Sequence, residues 1–372
     1  MKIVMVSNFL NHHQLPLCSA FLRHGAEFSF VATTGLTEQR AKMGYEDLNH
    51  SCSFVVNAYE GPRELERALS LCSACDVMIL GGRLPEFRRR AKPGCVVFVY
   101  SERLFKSSSH SPINILRCCK YFPTWFYSRG AYLLCNGAYA AEDYRLLGQY
   151  RNRAYKWGYF PEVKTQDAEA ILAAKEPASI IWAGRFLSWK HPEIAVDMAE
   201  RLTRDGIPFS LSMIGDGEMR KELEASVESK GLTSSVRFLG FIPPEEVRSR
   251  MERSVVHLFT SDRGEGWGAV LNESMNSCCI VIANAEIGSV PYLIQDGVNG
   301  FLYDGGDKDG LYRRLAAVLK DPDSCRSAAL AANETMQHIW NAETAAVRLI
   351  ELASALLRGE DTPFETGPCS RA

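Results

Sequence analysis

Short apolar runs alternate with amphipathic segments along this chain. Apolar runs of about four to six residues, bounded by polar residues or glycine, predict buried strands, whereas apolar positions three and four residues apart predict helices. In the first part of the chain, strands are predicted at Lys2–Val6, Phe28–Thr33, Val77–Leu80, Cys95–Tyr100 and Tyr132–Asn136. Helices are predicted at Leu15–His24, Pro62–Ala74 and Ala138–Leu147.

The same alternation starts again after residue 178. Strands are predicted at Ser179–Ala183, Phe209–Ile214, Val236–Leu239, Val255–Phe259, Ile280–Ala283 and Phe301–Tyr303. Helices are predicted at Pro192–Arg204, Glu218–Ser229, Pro244–Arg253, Ala269–Ser277, Val290–Ile294, Asp307–Lys320 and, strongly amphipathic, Ala342–Leu357. Strands that alternate with helices favour parallel sheets covered by helices on both faces. We therefore expect an α/β fold with two Rossmann-like domains.

The segment between the two series, rich in alanine and polar residues, is predicted to be a linker. This places a first domain at residues 1–160, the linker at 161–178, and a second domain at 179–340. The remaining helix, 342–358, follows the second domain, and residues 359–372 are predicted to be disordered.

Composition is that of a soluble globular protein, with 46% hydrophobic and 23% charged residues. No apolar run reaches the length of about 18 residues that a membrane span requires. The twelve cysteines, with no export signal, suggest reduced thiols and a cytoplasmic protein. Cys72 and Cys75 form the only C-x-x-C pair, and buried thiols are favoured there over a zinc site.

Charge divides the chain into a basic and an acidic part. Residues 1–160 carry 20 Lys and Arg against 12 Asp and Glu, and the rest carry 22 against 32. The basic residues form two clusters, one at Arg83–Lys92 and one at Arg117–Arg129 that is interleaved with aromatic side chains. A solvated surface and an anionic membrane surface or lipid-linked acceptor both fit such clusters. Nucleic acid is not expected as a partner, because no recognised binding module is present.

The stretch 261–273 is a glycine-rich turn between a predicted strand and a predicted helix. Such a turn offers backbone N–H groups and a positive helix end to a phosphate. Glu265 lies on the turn and Glu273 about two helical turns further on, so their carboxylates can hold different hydroxyl-bearing parts of one ligand. A simple helix start with ordinary acidic residues stays an alternative.

Two cations follow the first strand of the second series. Arg185 and Lys190 lie in the loop after Ala183, where they can neutralise a diphosphate or remain solvated. Further along, Gly215-Asp216-Gly217 resembles a dinucleotide fingerprint, but Arg220 stands where the third glycine is needed. A tight strand-to-helix turn is the favoured interpretation there.

In the first series, His12 and His13 follow the first strand and Glu102 follows the Cys95–Tyr100 run. Ligands of parallel sheets bind beyond the carboxyl ends of the strands, so these three side chains are candidates for catalysis or binding. A structural or solvated role for each of them stays open.

Several motifs of the second part together resemble the "group 1" family of retaining glycosyltransferases with the GT-B fold. The ordered set that carries the resemblance is Ala183-Gly184-Arg185-Phe186 with Lys190, Ile214-Gly215-Asp216-Gly217, Val236 to Phe241, Glu265-Gly266-Trp267-Gly268 with Glu273, and Gly288 to Leu302. The resemblance implies two Rossmann-like domains whose parallel sheets face each other across a cleft, with the 342–358 helix packing back on the first domain.

The resemblance also implies roles for individual residues around a UDP- or GDP-sugar donor. Gly184, Arg185 and Lys190 would lie at the diphosphate, and backbone amides of Gly266, Trp267 and Gly268 would meet phosphate and sugar. Glu265 would contact sugar hydroxyls, Glu273 the ribose, and Phe241 and Ile242 the base. Many members have a histidine at a strand tip where this chain has Ser101-Glu102, so Glu102, His12 or His13 would take that role beside Glu265.

The expected activity is therefore retaining transfer of a sugar to a glycan or lipid-linked acceptor, in bacterial surface polysaccharide or glycoconjugate synthesis. No metal ion and no cofactor are expected, because no Asp-x-Asp pair follows a strand. The expected location is cytoplasmic, with peripheral binding to the inner face of the cell membrane. A sugar-nucleotide epimerase, a phosphorylase or a non-catalytic relative on the same fold stays open.

Overall fold

The computed structural model describes residues 1–37, 46–106 and 128–372. The chain forms two compact units, the first made of Met1–Glu162 and Ile339–Ala372 and the second of Val163–His338. Across the described ranges, no helix is both long and apolar enough to cross a membrane.

Unit 1 contains a seven-stranded sheet in which every pair of neighbouring strands is parallel, in the order β3-β2-β1-β4-β5-β6-β7. The strands are β1 Lys2–Ser7, β2 Glu27–Ala32, β3 Val55–Asn57, β4 Val77–Leu80, β5 Val96–Ser101, β6 Ala131–Asn136 and β7 Ala154–Trp157. The strand order reverses direction between β1 and β4. In open parallel sheets this reversal opens a crevice at the carboxyl ends of the two strands.

Helices cover both faces of this sheet. They are α1 Leu15–Arg23, α2 Leu48–Ser51, α3 Pro62–Ala74, α4 Pro85–Arg88, α5 Ala140–Leu146 and, from the end of the chain, α14 Ala342–Leu357. Helix α14 packs against α1, and the Glu343 carboxylate binds Arg23 and, at 2.8 Å, His24 Nε2. Its apolar face, which includes the fully buried Leu349 and Leu352, explains why the amphipathic pattern forms a docked helix.

The prediction that residues 359–372 are disordered is wrong. The tail pairs with β7, the edge strand of the unit 1 sheet, because Lys156 N donates to Ser370 O and Cys369 N donates to Lys156 O, both at 2.8 Å. Cys369 and Ser370 are fully buried. The polar composition of the tail does not reveal this pairing, because the backbone groups that satisfy a sheet edge are present in every sequence.

Unit 2 contains a six-stranded parallel sheet in the order β10-β9-β8-β11-β12-β13, with the reversal between β8 and β11. The strands are β8 Glu176–Ala183, β9 Ser210–Ile214, β10 Val236–Gly240, β11 Ser254–Phe259, β12 Ile280–Asn284 and β13 Phe301–Tyr303. Strands β11 and β12 are buried at every position, which explains their unbroken apolar character.

The helices of unit 2 are α6 Ala168–Ala173, α7 Pro192–Arg204, α8 Arg220–Ser229, α9 Pro244–Arg253, α10 Val270–Asn276, α11 Val290–Leu293, α12 Lys308–Lys320 and α13 Arg326–Glu334. Helices α7 and α9 begin with proline, whose fixed φ and missing N–H suit the first helical position. A short 3₁₀ turn, Ser188–Lys190, precedes α7.

The structure differs from the predicted linker at residues 161–178. This segment holds α6 and the first residues of β8, and Ile171 of α6 is buried in the core of unit 2. The alanine-rich sequence predicts a linker here because the helix, with only six residues, is too short to show a clear periodic pattern. Residues Val163–His338 belong to unit 2.

Candidate active site

The candidate site of unit 2 lies at the reversal point of its sheet, beyond the carboxyl ends of β8 and β11. The loop after β8 holds Gly184, Arg185 and the 3₁₀ turn that ends at Lys190. The loop after β11 holds Asp262 to Gly268 and leads into α10. Neighbouring parallel strands bring these two loops together, although about 75 residues separate them in sequence.

Glycines allow the backbones around these loops to approach closely. A Cβ atom on Gly215 would lie 1.9 Å from Gly184 O, and one on Gly288 would lie 1.9 Å from Gly266 O. Neither position has room for any other residue. The Gly215-Asp216-Gly217 motif is therefore a packing element that supports the β8 loop, as Phe186 N donates to Asp216 O at 2.9 Å.

Lys190 and Glu265 form an ion pair at the centre of the site. Lys190 Nζ lies 2.5 Å from Glu265 Oε2, and their side chains are only 13% and 12% exposed. Ser261 Oγ donates to the same carboxylate oxygen at 3.3 Å, and the ammonium lies 4.7 Å from the centre of the Trp189 ring. The pair places a positive and a negative group of the predicted donor site in direct contact.

Further groups around this pair are able to bind an anion. Arg185 is exposed, and no hydrogen bond or ion pair joins its side chain to any other residue in the described ranges. The backbone N–H groups of Gly266 and Gly268 likewise donate to no described residue. Arg263, which the sequence analysis missed, lies on the same loop, and its buried Nε has no partner among the described residues. The sequence signal for Arg263 was a cation inside the glycine-rich turn, in addition to Arg185 and Lys190 in the loop after β8.

His191 and Asp262 hold the two loops together, and neither was predicted. His191 Nε2 lies 3.2 Å from Asp262 Oδ2, and Asp262 N donates to Trp189 O at 2.9 Å. Asp262 Oδ1 also accepts from Gly264 N at 2.6 Å. His191 adopts a left-handed conformation, with φ of 50°, which nothing in the sequence indicates.

The remaining donor-site candidates lie at different depths. The Trp267 side chain is fully buried, and its Nε1 donates to Asn272 Oδ1 at 2.9 Å, so only its backbone can face a ligand. Burial raises the pKa of the Glu273 carboxyl, and the Arg248 guanidinium opposes that shift. Phe241 is exposed and, with Ile242, follows β10 at the edge of the sheet.

Unit 1 has a polar cavity of about 390 Å³ at its own reversal point. It lies beyond the ends of β1, β4 and β5 and is lined by Ser7, Gln14, Gly81 and Tyr100, among others. Ser7 Oγ lies 2.7 Å from Tyr100 Oη, to which Gln14 Nε2 donates at 2.9 Å. A Cβ on Gly81 would lie 2.5 Å from Tyr100 Oη, so glycine is needed for these hydroxyls to meet.

The three candidate side chains of unit 1 occupy different positions around this cavity. The rings of His12 and His13 are 3.8 Å apart, but only His13 lines the cavity. Burial lowers the pKa of His13 to about 3, so its imidazole is neutral at physiological pH. Glu102 accepts from Tyr159 Oη at 2.9 Å and lies 3.0 Å from Lys106 Nζ.

A second cavity of unit 1, of about 210 Å³, is lined mostly by apolar side chains, among them Leu84 and Leu104, together with Arg83 and Arg88. It involves the first of the two basic clusters. The aromatic and basic stretch at 117–127, which carries most of the second cluster, lies outside the described residues.

Taken together, the loops of unit 2 present cations, backbone donors and a carboxylate, a combination that suits a ligand with both phosphate and hydroxyl groups. Among the described residues, no group of three or more His, Cys, Asp or Glu side chains is placed to hold a metal ion.

Comparison with known proteins relates part of the chain to a family. Residues 163–335 match the model of the family "Glycosyl transferases group 1". Sulfoquinovosyl transferase SQD2 of Arabidopsis thaliana is 27% identical over 233 residues, which cover 61% of this chain and 43% of that protein. The amylovoran biosynthesis glycosyltransferase AmsK of Erwinia amylovora is 24% identical over 189 residues, covering 50% of this chain and 46% of that protein. The chain thus spans about half the length of the curated relatives it matches.

Solved structures extend the similarity to the whole chain. The structure of Anabaena Alr3699/HepE in complex with UDP and glucose matches 95% of this chain and 99% of its own, with a TM-score of 0.68 and 16% identity. Similarity at that identity establishes the fold, which is the α/β GT-B fold with two Rossmann-like sheets. Residues 163–335 are therefore similar to the glycosyl transferases group 1 family.

Proposed function

We propose that the protein is a retaining glycosyltransferase that moves a sugar from a nucleotide-diphosphate sugar to a glycan or lipid-linked acceptor. The observation that carries this proposal is the Lys190–Glu265 pair, with Arg185 and the Gly266 and Gly268 amides beside it. One ligand that needs cations, backbone donors and a carboxylate acceptor together is a sugar joined to a diphosphate.

In this proposal the protein acts mainly on the leaving group. Arg185 and Lys190 bind the diphosphate and stabilise the negative charge that grows on it as the sugar departs. Backbone N–H groups of Gly266 and Gly268 contribute fixed dipoles that need no reorganisation. Glu265 accepts hydrogen bonds from sugar hydroxyls, Glu273 binds the ribose, and Phe241 and Ile242 contact the base. The acceptor attacks the face of the sugar from which the diphosphate leaves, without a nucleophile or metal ion from the protein.

Related proteins support the choice of donor and pathway. Anabaena Alr3699/HepE has been solved with UDP and with UDP-glucose, which favours a UDP-sugar over a GDP-sugar. AmsK is described as an enzyme of amylovoran biosynthesis, which favours polysaccharide synthesis. We extend both to this chain as part of the proposal.

Thermal shift with a panel of UDP- and GDP-sugars tests the donor site. A ligand at 100 times its Kd stabilises a protein by about 2.7 kcal/mol. For a domain of 150–250 residues, that corresponds to a rise in Tm of roughly 5–11 °C. Because a charge-assisted hydrogen bond contributes about 1.5–3 kcal/mol, Arg185→Ala or Lys190→Ala should each weaken binding by roughly 10- to 100-fold.

Lys221→Ala is the matched control, because Lys221 is an exposed cation on α8. It should bind the donor as the wild type does. If no nucleotide sugar raises the Tm, or if all three variants lose the shift equally, the assignment of the donor site is wrong. Conversion of the donor's sugar without any acceptor would instead identify an epimerase.

The basic surface of unit 1 motivates a second part of the proposal, peripheral binding to an anionic membrane from the cytoplasm. Arg83, Arg89 and Arg90 are exposed around the short helix α4, next to the apolar cavity of about 210 Å³. Each basic residue near an anionic bilayer contributes about 1 kcal/mol. The protein should therefore sediment with phosphatidylglycerol vesicles and not with phosphatidylcholine vesicles, and failure to sediment with either would refute membrane binding.

A further inference from the structure

The cavity of about 390 Å³ in unit 1 differs chemically from the donor site of unit 2. Eight of the described residues line it, and none of these is an Asp, Glu, Lys or Arg. Among them only His13 is able to become cationic near neutral pH, and burial lowers its pKa to about 3. At physiological pH the described lining therefore offers hydroxyl groups, amides and rings, but no net charge.

The polar groups of this cavity are held in place before any ligand binds. Asn11 Nδ2 donates to Gln14 Oε1 at 3.0 Å, Gln14 donates on to Tyr100 Oη, and Ser7 lies at hydrogen-bond distance from the same hydroxyl. Ser7 Oγ in turn donates to Asn8 Oδ1 at 3.2 Å. This chain of five side chains fixes each donor and acceptor, which lowers the entropy cost of binding a ligand rich in hydroxyl groups.

Two groups are left for a ligand to satisfy. The buried Nδ1 of His13 has no hydrogen-bond partner among the described residues. The amide nitrogen of Asn8, which is exposed at the cavity, likewise donates to no described residue. The rings of His13 and Tyr159 are close to parallel, with centroids 6.4 Å apart, and offer apolar faces as well.

A carboxylate that contacts the lining residue Tyr159 is already paired with a cation. Glu102, which binds Tyr159 Oη, is also paired with Lys106. The volume falls within the range of about 300–1,000 Å³ that small-molecule sites occupy, and it has room for one or two sugar rings.

From this geometry we infer that the unit 1 cavity binds an uncharged sugar of the acceptor and excludes a uronic acid, an amino sugar or a sugar phosphate. A charged group that entered the cavity would lose its hydration without meeting an opposite charge. This cost disfavours charged sugars and so makes the cavity selective for uncharged ones. The assignment to the acceptor rests on the proposed function, because that function places the donor on unit 2.

Saturation-transfer NMR on the full chain with UDP present tests this inference. The probes are methyl glycosides of glucose, galactose and mannose, each compared with its uronic acid counterpart. At least one neutral glycoside should bind at millimolar concentration, and its uronate should bind at least tenfold more weakly. Asn8→Trp, which fills the cavity from an exposed position, should remove glycoside binding while the UDP-induced rise in Tm persists.

Asn8→Lys supplies the complementary result. A cation at the cavity should raise affinity for the uronate at least fivefold, whereas the uncharged Asn8→Met should not. Lys190→Met should lose the UDP-induced shift and keep glycoside binding, so failure of the donor site is distinguishable from failure of the cavity. Equal or tighter binding of the uronates to the wild type, or no binding of any neutral glycoside, would overturn the inference.

Discussion

Replacing Glu265 by glutamine should change the binding of nucleotide and the transfer of sugar in opposite directions. In the free protein Lys190 Nζ is already bound to Glu265 Oε2 at 2.5 Å. A diphosphate that reaches Lys190 must therefore approach the carboxylate as well. At a separation of roughly 5 Å and an effective dielectric constant of about 20, two unit negative charges repel by about 3 kcal/mol.

Glu265→Gln keeps the shape of the side chain and removes this repulsion. Even if solvent screens half of it, UDP should bind about tenfold more tightly, since about 1.4 kcal/mol corresponds to one order of magnitude. Transfer of the sugar should nevertheless fall by roughly 10- to 100-fold, because hydrogen bonds from sugar hydroxyls to a charged acceptor contribute about 1.5–3 kcal/mol.

Titration calorimetry with UDP and an assay of UDP release measure the two effects separately. Glu245→Gln is the matched control, because Glu245 is exposed on α9 and should change neither quantity. Misfolding would weaken both binding and transfer, so the opposite signs cannot come from loss of structure. A Glu265→Gln variant whose affinity for UDP falls in parallel with transfer would refute the proposed competition for Lys190.

Three further predictions concern features that support the site. His257 is fully buried in β11, neither ring nitrogen has a partner among the described residues, and burial lowers its pKa from 6.5 to about 3. The pKa of His257 in the folded state lies below its unfolded value, so its contribution to the free energy of unfolding is fully present above pH 6.5. That contribution is lost as the pH falls towards 3, and the loss between pH 7.5 and 5 is about 2 kcal/mol. In calorimetry, the free energy of unfolding of His257→Phe should fall by about 2 kcal/mol less than that of the wild type between pH 7.5 and 5. An unchanged pH profile would contradict this role of His257. Gly288→Ala should abolish the donor-induced rise in Tm, because its methyl group would overlap Gly266 O. Gly306→Ala should retain the rise, because a Cβ on Gly306 would meet nothing within 4 Å. Equal behaviour of the two variants would show that the loop tolerates the methyl group. Deleting residues 367–372 should expose the edge of β7 and produce oligomers in light scattering, and a monomer of unchanged Tm would contradict that role of the tail.

Much of the architecture is encoded in local patterns. Helices Pro62–Ala74, Pro192–Arg204 and Pro244–Arg253 occur with the predicted bounds, because each combines proline at the first position with a clear amphipathic period. The long strands were predicted within one to three residues, since most are buried on both faces and form unbroken apolar runs.

The elements that escaped prediction are short or depend on distant partners. Strands β3 and β7 have three and four residues, and Asn57 and Lys156 keep them from forming the unbroken apolar runs that predict strands. The tail after residue 358 is ordered by backbone hydrogen bonds to Lys156, which no composition rule detects. The contact of His191 with Asp262 is likewise invisible in the sequence, because it depends on how two loops fold against each other.

Among the candidate site residues, those of unit 2 were the easier to identify. Lys190 and Glu265 stand out as charged residues in loops that follow apolar strands, and the structure brings them into contact. The sequence could not indicate that Lys190 is already paired in the free protein, nor that the cavity beside His13 is uncharged. Both depend on side-chain packing between segments far apart in the chain.

The most direct test of the central claim is transfer itself. The purified chain is incubated with radiolabelled UDP- and GDP-sugars and an extract of bacterial glycans and lipid-linked oligosaccharides, and label in the glycan or lipid fraction is counted with and without EDTA. We expect one nucleotide sugar to label the acceptor fraction, with the anomeric configuration retained by NMR, with no loss in EDTA, and with no labelling by Lys190→Ala. Absence of label with every donor, or equal labelling by Lys190→Ala, would contradict the account.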